Sequence, residues 1–498
     1  METSEDPEKK PEAPQEPLDE QDVAHERLRA LERNYGSTWD SPTDPEDPYN
    51  WPSLRKISIG LVFSFGHLVT LMSASMIAAA LKDIERDLSI DATTAQIIFS
   101  TYFLGLALGP FPIAAWSEMG GRKQVWLFAN AWFILWNALC PVGRSKGLMV
   151  AGRLMTGVGA SAGITLTGPV MADMYRNEDR GKSLAIASFL PYLGPALGPI
   201  LGGVVSHLVD WPWIFWIMSI INAAVTLLGL VCIRETYTPE LLRRKAIATG
   251  SQLPAAEKHN SSAFIPKLRS HLARPFLLLM KRPVIQVMAF LLALDFAVYT
   301  FLLSTFAMLY MQRYGQSQFI SSLHYLSISV GFTVAAQVGG RAMDAIYSRL
   351  SRGKNGRPEL RIPYMVPGVL LIPAGLLWYG WSAQARVHWA SVDAGAVVFT
   401  VGSLIVSQAL FAYQLDEFAE HGASANAASR VFSNLLAFVF PIFAPRLYDG
   451  LGFGWGNSLL AGVWFVLVGP MPVLLWFWGE RLRALGRKGG ENPGAVGL

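Results

Sequence analysis

The chain has 498 residues, of which 52% are hydrophobic and 16% are charged, and its formal net charge is +4. Soluble domains carry about 25% charged residues, so this composition favours an integral membrane protein. The small net charge gives no sign of nucleic-acid binding. Both cysteines, Cys140 and Cys232, lie in apolar runs, which argues against a disulfide scaffold or a metal cluster.

Residues 1–50 form the first section of the chain. They are rich in Glu, Asp, Pro and Lys and contain few large apolar side chains. Such a segment cannot bury enough apolar surface to offset its loss of conformational entropy, so we predict a disordered cytoplasmic tail. The acidic, proline-rich start is also unlike a cleavable signal peptide.

Twelve apolar segments follow, each bounded by charged or turn residues and suited in length to a membrane-spanning helix. Six of them fall in residues 51–233 and six in residues 284–480, which predicts two six-helix bundles built as an internal repeat. The predicted spans are 57–80, 95–116, 125–142, 147–172, 183–206, 211–233, 284–310, 318–340, 362–381, 390–413, 424–445 and 457–478.

The distribution of basic residues predicts the orientation in the membrane. Residues 234–283 form a polar linker with ten Lys or Arg, and its end, Phe264 to Met280, is predicted to lie on the membrane surface as an amphipathic helix. With both termini inside, including a cytoplasmic tail at 481–498, the interior segments hold 32 Lys or Arg and the exterior loops hold 7. Basic residues are concentrated on the cytoplasmic side of membrane proteins, so we expect both termini there.

The fifth span contains the run LPYLGPALGPILGG, from Leu190 to Gly203. Positions four apart share one side of a helix, so this run would carry a glycine seam beside a proline seam. Small residues allow two membrane helices to approach closely, which predicts a tight helix-packing surface. The residues concerned are Gly194, Pro195, Gly198, Pro199, Gly202 and Gly203.

The same run closely resembles the fifth-span signature of major facilitator antiporters. A loop after span 2, from Ala114 through Glu118 to Arg122, resembles the superfamily's Gly-x-x-x-Asp-x-x-Gly-Arg-Arg signature, with alanine and glutamate as departures. In span 4, Arg153-x-x-x-Gly157 resembles the signature whose arginine is associated with proton movement. Together these motifs identify residues 50–485 as similar to the fungal twelve-span drug:proton antiporters.

The resemblance implies an all-α membrane protein with the major facilitator fold, in which twelve helices form two pseudo-symmetric six-helix bundles. It implies a role for Arg153 in proton movement. It also implies a conformational latch, with Glu118 near a helix terminus of the other half and Arg122 near Asp173 at the inner end of span 4. The alternative is that these are ordinary positive-inside charges.

Two titratable residues lie near mid-membrane, Asp295 in span 7 and His67 in span 1. Charged groups are costly in the bilayer centre and usually functional there, so we expect Asp295 to bind the coupling proton or a cationic substrate, with His67 assisting. The alternative is that Asp295 hydrogen-bonds a neighbouring helix and His67 is a packing residue. The role of Arg430, the other charge within a span besides Arg153, stays open.

Aromatic side chains are expected to line a central cavity suited to planar apolar molecules. The candidates are Phe63, Tyr192, Phe296 and Tyr299.

The resemblance to these antiporters therefore implies proton-coupled efflux by alternating access, and we expect the compounds to be small and largely apolar, such as a fungal secondary metabolite, toxin or drug. A polyamine or other organic-cation exporter is an alternative, and a transporter-like membrane sensor or receptor is another. We expect no enzymatic activity, catalytic residue, cofactor or metal, with a proton gradient as the energy source. The protein should be a monomer in the lipid bilayer of the plasma membrane, with small molecules and protons as its partners and no nucleic acid.

Overall fold

A computed structural model describes residues 20–35, 37–175, 190–250, 280–351, 357–417 and 422–488. Within those ranges all regular structure is helical. The first half of the chain contains helices α1 (Glu20–Tyr35), α2 (Ser53–Ser75), α3 (Leu81–Leu88), α4 (Ala92–Leu108), α5 (Pro110–Gly120), α6 (Arg122–Leu139), α7 (Lys146–Met174), α8 (Gly194–Leu208), α9 (Pro212–Cys232) and α10 (Thr238–Thr249).

The second half repeats the pattern of long apolar helices. It contains α11 (Pro283–Tyr314), α12 (Gln318–Leu323), α13 (Tyr325–Ser351), α14 (Ile362–Gln384), α15 (Trp389–Glu417), α16 (Gly422–Val468) and α17 (Met471–Lys488). α16 contains two predicted spans. Gly452, with φ 72°, turns the chain between them. Only glycine adopts this backbone conformation readily.

Nine helical stretches in the described ranges are long and apolar enough to cross a membrane. The last of them, Ser429–Leu485, contains two of the predicted spans, so nine stretches account for ten spans. The two remaining spans, predicted at 125–142 and 183–206, correspond to the shorter helices α6 and α8. Residues 176–189, which would precede α8, lie outside the described ranges.

The directions of the helices and the contacts between loops define two ends of the helix bundle. We call the end that holds residues 37–52, 118–123, 233–250 and 480–488 the terminus face, and the end that holds residues 79–91, 140–146, 209–211 and 315–324 the opposite face. The halves meet along the bundle where α4 packs on α16 and where α8 packs on α12 and α13.

Residues 37–50 fold onto the terminus face, so the prediction of a disordered tail over residues 1–50 is wrong for this part. Trp39 is only 2% exposed, and the Lys245 ammonium of α10 lies 5.9 Å from the centre of its ring. Lys245 Nζ also lies 2.7 Å from Asp40 Oδ1. The described ranges do not include residues 1–19 or residues 489–498 of the predicted C-terminal tail. They also do not include the predicted surface helix at 264–280, apart from its last residue.

Candidate functional site

Asp295 lies in the middle of α11 and is 3% exposed. Its carboxyl group faces α15, where Ser403 Oγ and Ser407 Oγ donate hydrogen bonds to Asp295 Oδ2 over 3.0 and 2.8 Å. The other carboxyl oxygen, Oδ1, is buried and has no hydrogen-bond partner among the described residues. The two serines are four positions apart and therefore share one side of α15.

The Asp295 site is thus a carboxyl group with half of its hydrogen-bonding capacity met. A charged carboxylate removed from water is costly unless a cation or a proton neutralises it. In the described ranges Asp295 forms no ion pair, and only neutral hydroxyl groups contact its carboxyl. The free oxygen is therefore a place where a proton or a positively charged ligand can bind.

An aromatic cluster lies between the halves, one residue along α11 from Asp295. The half-buried Phe296 ring meets the edge of Phe103 from α4, with ring centres 5.8 Å apart. Phe296 also stacks on Tyr299, with ring centres 6.0 Å apart, and Tyr299 contacts Phe332 of α13. Two of the predicted cavity residues, Phe296 and Tyr299, therefore lie together at the interface between the halves.

The other two predicted cavity residues are Phe63 and Tyr192. Phe63 is fully buried against Trp126 in the first half, so in this conformation it has no surface with which to line a cavity. Its cavity assignment is wrong here because the ring points into the core of its own bundle. The side chain of Tyr192 lies outside the described part of the structure.

His67, on α2, is half-buried. The positive charge of Arg430, on α16, acts on the imidazole ring. A Cβ at Gly163 would lie 3.3 Å from His67 Cα, so α7 supports the helix at this level. No contact between His67 and Asp295 appears in the described ranges, which leaves the predicted cooperation of the two residues a hypothesis.

Arg153 is fully buried near the opposite face. Its Nη1 donates to the carbonyl oxygen of Ser73 over 3.0 Å, its Nη2 lies 3.5 Å from the carbonyl oxygen of Ala74, and its guanidinium lies 4.4 Å from the Tyr102 ring centre. These carbonyls belong to the last turn of α2, just before the chain tightens into a 3-10 turn at Met76–Ala78. Arg153 therefore holds the end of span 1, well separated along the bundle from mid-membrane Asp295.

The glycines of α8 form a packing seam along α2. A Cβ added at Gly194 would lie 2.6 Å from Leu71 Cβ, one at Gly198 would strike the carbonyl oxygen of Met72, and one at Gly202 that of Met76. Contacts this short are closer than real Cβ atoms make, so the two helices approach this closely only because the side chains are absent.

Gly203 faces the other way, toward the second half. A Cβ there would lie 2.5 Å from Ser322 Oγ and 2.6 Å from Ser322 Cβ, on α12. The motif therefore serves two contacts at once, one inside the first half and one between the halves. The prolines run beside this seam, with Pro199 buried and Pro195 partly buried.

The predicted latch residues Arg122 and Asp173 meet at the terminus face. Arg122 Nε lies 3.3 Å from Asp173 Oδ2, and Arg122 Nη1 donates to Ser117 Oγ over 2.7 Å. Thr236 Oγ1 donates to the same Asp173 oxygen over 3.2 Å. These contacts join the ends of α5, α6 and α7 to the start of the linker, all within the first half.

Glu235, which the sequence analysis did not single out, joins the predicted latch residues. Its carboxylate accepts hydrogen bonds from the backbone N–H groups of Arg122 and Lys123 over 2.8 and 3.1 Å, at the start of α6. Carboxylates stabilise helix N-termini, where backbone N–H groups lack partners. Gly121, with φ 86°, lets the carboxylate come this close, since a Cβ there would strike Glu235 Oε2.

Glu118 is exposed at the end of α5, and its charge acts on Tyr237 in the same half. Burial raises the pKa of the Tyr237 hydroxyl to about 12, and Arg122, 4.5 Å from the Tyr237 ring centre, opposes that rise. The expected approach of Glu118 to a helix terminus of the second half stays a prediction.

A sequence profile of the Major Facilitator Superfamily matches residues 63–441. The chain belongs to the Major Facilitator Superfamily. It is therefore a transporter rather than an enzyme, and a multi-pass membrane protein. The family resemblance expected from the motifs is confirmed, and so is the all-helical major facilitator fold.

Solved structures of other major facilitator transporters share the fold. The bacterial homologue of the human lysosomal transporter Spinster, in an inward-facing and unoccupied conformation, superposes with a TM-score of 0.62 at 13% identity and covers 89% of this chain and all of its own. The xylose transporter XylE from E. coli, in a partially occluded inward-open conformation, gives a TM-score of 0.62 at 14% identity, covering 84% and 98%.

Curated relatives of this superfamily member come from fungi. The probable efflux pump mfs2 of Aspergillus flavus is 40% identical over 82% of this chain and 98% of its own length. The efflux pump vrtL of Penicillium aethiopicum is 34% identical over 90% of each chain. The efflux pump radE of Floropilus chiversii is 34% identical over 90% of this chain and 84% of its own.

Proposed function

We propose that this transporter exports small, largely apolar organic compounds in exchange for protons, by alternating access between its two halves. Relatives named efflux pumps cover most of the chain and support the direction of transport. The aromatic cluster of Phe103, Phe296, Tyr299 and Phe332, between the halves, suits planar apolar ligands.

The observation that carries proton coupling is the Asp295 carboxyl. It is buried in the middle of a span, two serine hydroxyls donate to Oδ2, and Oδ1 has no partner among the described residues. Intramembrane carboxyl groups of this kind characteristically serve ion or substrate pathways. A proton bound at Oδ1 neutralises the group when the site is closed to water, and its release resets the site for the next cycle.

The proposed orientation places the terminus face in the cytoplasm and the opposite face outside the cell. The excess of Lys and Arg in the segments assigned to the inside, 32 against 7, supports it. We place the protein in the plasma membrane and propose a monomer as the working unit, because the proposed path lies between two halves of one chain.

Transport in proteoliposomes tests this function with Asp295→Asn, which keeps the size of the side chain and removes its titration. The probes are Nile red, which is neutral and apolar, and rhodamine 6G, which is a cation. We expect the variant to lose at least about tenfold of pH-gradient-driven transport of Nile red while it retains substrate exchange without a gradient. Asp449→Asn, at an exposed position of α16, is the matched control and should transport normally.

The outcomes separate the proposal from its alternatives. Full gradient-driven transport by Asp295→Asn would contradict the proposal that this residue carries the coupling proton. Loss of rhodamine 6G binding with Nile red transport unchanged would favour the organic-cation exporter. Binding of both probes without movement against a gradient would favour the sensor.

A further inference from the structure

Four polar side chains meet near the opposite face of the second half, and we call them the His324 cluster: Tyr310, Gln316, His324 and Asp393. His324 Nδ1 lies 2.8 Å from Asp393 Oδ2, and His324 Nε2 lies 2.8 Å from Gln316 Oε1. The imidazole stacks on Tyr310 with ring centres 3.8 Å apart and planes 3° apart. The Tyr310 hydroxyl donates a hydrogen bond to Asp393 Oδ1 over 2.6 Å, so α11, the junction between α12 and α13, and α15 are joined here.

Both ring nitrogens of His324 have a polar partner. A neutral imidazole has one N–H donor and one acceptor nitrogen, whereas the carboxylate and the amide oxygen both accept. An imidazolium satisfies both contacts at once. A neutral ring keeps both only if the Gln316 amide turns to present its NH2 group. The arrangement therefore favours the protonated ring, whose charge Asp393 neutralises.

The cluster holds both ends of the segment that joins the two halves at the opposite face. Between Gln316 and His324, Gln318 Nε2 donates to the carbonyl oxygen of Ala79 over 2.8 Å and lies 3.2 Å from Ser206 Oγ. Ser322 lies against Gly203 of the antiporter motif. All three partners belong to the first half, so the segment 316–324 closes the opposite face.

Other ionisable groups surround the His324 ring. α11 contributes Tyr310 and also Tyr314, whose hydroxyl donates to the carbonyl oxygen of Val387. Asp393 is the carboxylate that the described residues place against the ring, and Tyr379 of α14 acts on that carboxylate. Trp389 meets the ring edge and separates it from His388.

We propose that protonation of His324 from the opposite face stabilises the conformation in which that face is closed. Histidine ordinarily changes charge between about pH 5 and 8, so the closed state should gain population as the pH falls through that range and lose it as the pH rises. The effect on transport rests on the proposed function, because in an exchange cycle acid outside would then favour the return of the emptied carrier. The geometric claim about closure does not depend on it.

Distance measurements between spin labels on the full chain in nanodiscs test the proposal. The labels replace Lys82 and Ile320, exposed residues of the two halves at this face, after Cys140 and Cys232 have been changed to alanine. We expect the short-distance population to rise at least about twofold between pH 8 and pH 5.5, and His324→Asn to abolish this response. His388→Asn, at an exposed position beside Trp389, is the matched control and should respond like the parent.

A second variant keeps the test sound if His324→Asn unfolds. Gln316→Leu removes one acceptor on a turn, and we expect it to reduce the response by at least about half. A response unchanged in both variants, or no response in the parent, would overturn the proposal. Asp295→Asn should keep the response even where it loses proton-driven transport, so failure here and failure of the proposed function are told apart.

Discussion

Charged residues in the spans have different kinds of partner, and those of Arg153 are the least familiar. Its guanidinium is fully buried and reaches two backbone carbonyls and a tyrosine ring instead of a carboxylate. In the described ranges no acidic side chain pairs with it. The residue therefore acts on the shape of α2, where the helix ends, and through α2 on the seam with α8.

Arg153→Gln should lower the thermal stability of the purified transporter. The change removes the charged donors from the carbonyl groups of Ser73 and Ala74, and each buried acceptor left unmet costs about 1–3 kcal/mol. Thermal unfolding in detergent measures the loss, and Arg153→Lys should recover part of it because one charged donor remains.

The control for this prediction is Arg86→Gln. Arg86 pairs with Asp83 at an exposed position, where ion pairs contribute about 0–1 kcal/mol. Equal stability of Arg153→Gln and Arg86→Gln would contradict the role assigned to Arg153.

Asp295 was predictable from the sequence because a lone carboxylate in an apolar run stands out without any structure. Its partners Ser403 and Ser407 were not, because serines are common in spans and only the packing of α15 against α11 selects these two. The assignment of Phe63 to a cavity failed because the sequence does not show which way its ring faces. Sequence gives the depth of a ring in the membrane but not the side of the helix on which it lies.

At the level of secondary-structure elements, the close packing of α8 against α2 along the glycine seam is the clearest feature. Gly202→Ala would place a methyl group against the carbonyl oxygen of Met76. The two chain segments would have to move apart to make room for it, and they would then lose packing contacts. We expect a cost of about 1–3 kcal/mol, seen as a lower unfolding temperature, with slower transport of Nile red.

Gly462→Ala is the matched control for the seam. Gly462 also lies in a membrane-spanning helix, but a Cβ there meets nothing within 4 Å. The added methyl group should leave the unfolding temperature unchanged or raise it slightly, because alanine favours helix more than glycine does. A comparable loss in both variants would show that helix propensity, rather than the close approach of α8 to α2, decides the outcome.

One basic residue of α10 holds the start of the segment of residues 37–50. Lys245 reaches Asp40 and the Trp39 ring, so Lys245→Met should loosen the segment from the terminus face, beginning at these two residues. Hydrogen exchange of residues 37–50 should speed up by at least about tenfold, while the membrane helices exchange as before. Lys146→Met, at an exposed position of the opposite face, should leave that exchange unchanged.

The apolar helices were predictable because hydropathy is a local property, and nine apolar helical stretches in the described ranges account for ten of the twelve predicted spans. The fold of residues 37–50 was not predictable in this way. Its composition reads as a tail, yet Trp39 finds its partner on α10, far along the chain. Contacts of this kind leave no periodic pattern in the sequence.

For the whole molecule, the proposed alternating access requires the contact between the halves at the opposite face to break in every transport cycle. Cysteines replacing Ser206 and Gln318, in a chain without Cys140 and Cys232, can be joined by a short reducible linker, because these side chains approach to 3.2 Å. We expect the linked protein to lose at least about tenfold of its Nile red transport and a reductant to restore it.

A linked pair within the first half is the control for this experiment. Asp83 and Ser206 lie 2.7 Å apart but belong to the same bundle, so joining cysteines at these positions should leave transport intact. Transport that survives the link between Ser206 and Gln318 would show that the two halves do not separate at this face.

The fold of residues 37–50 also has a consequence for how the protein is made. Asp40 and Lys245 are 205 positions apart, so the partner of the early segment does not exist until most of the first bundle has left the ribosome. Trp39 and its neighbours therefore lack this partner throughout the synthesis of the first bundle, and their docking on α10 can begin only after residue 245 has been translated.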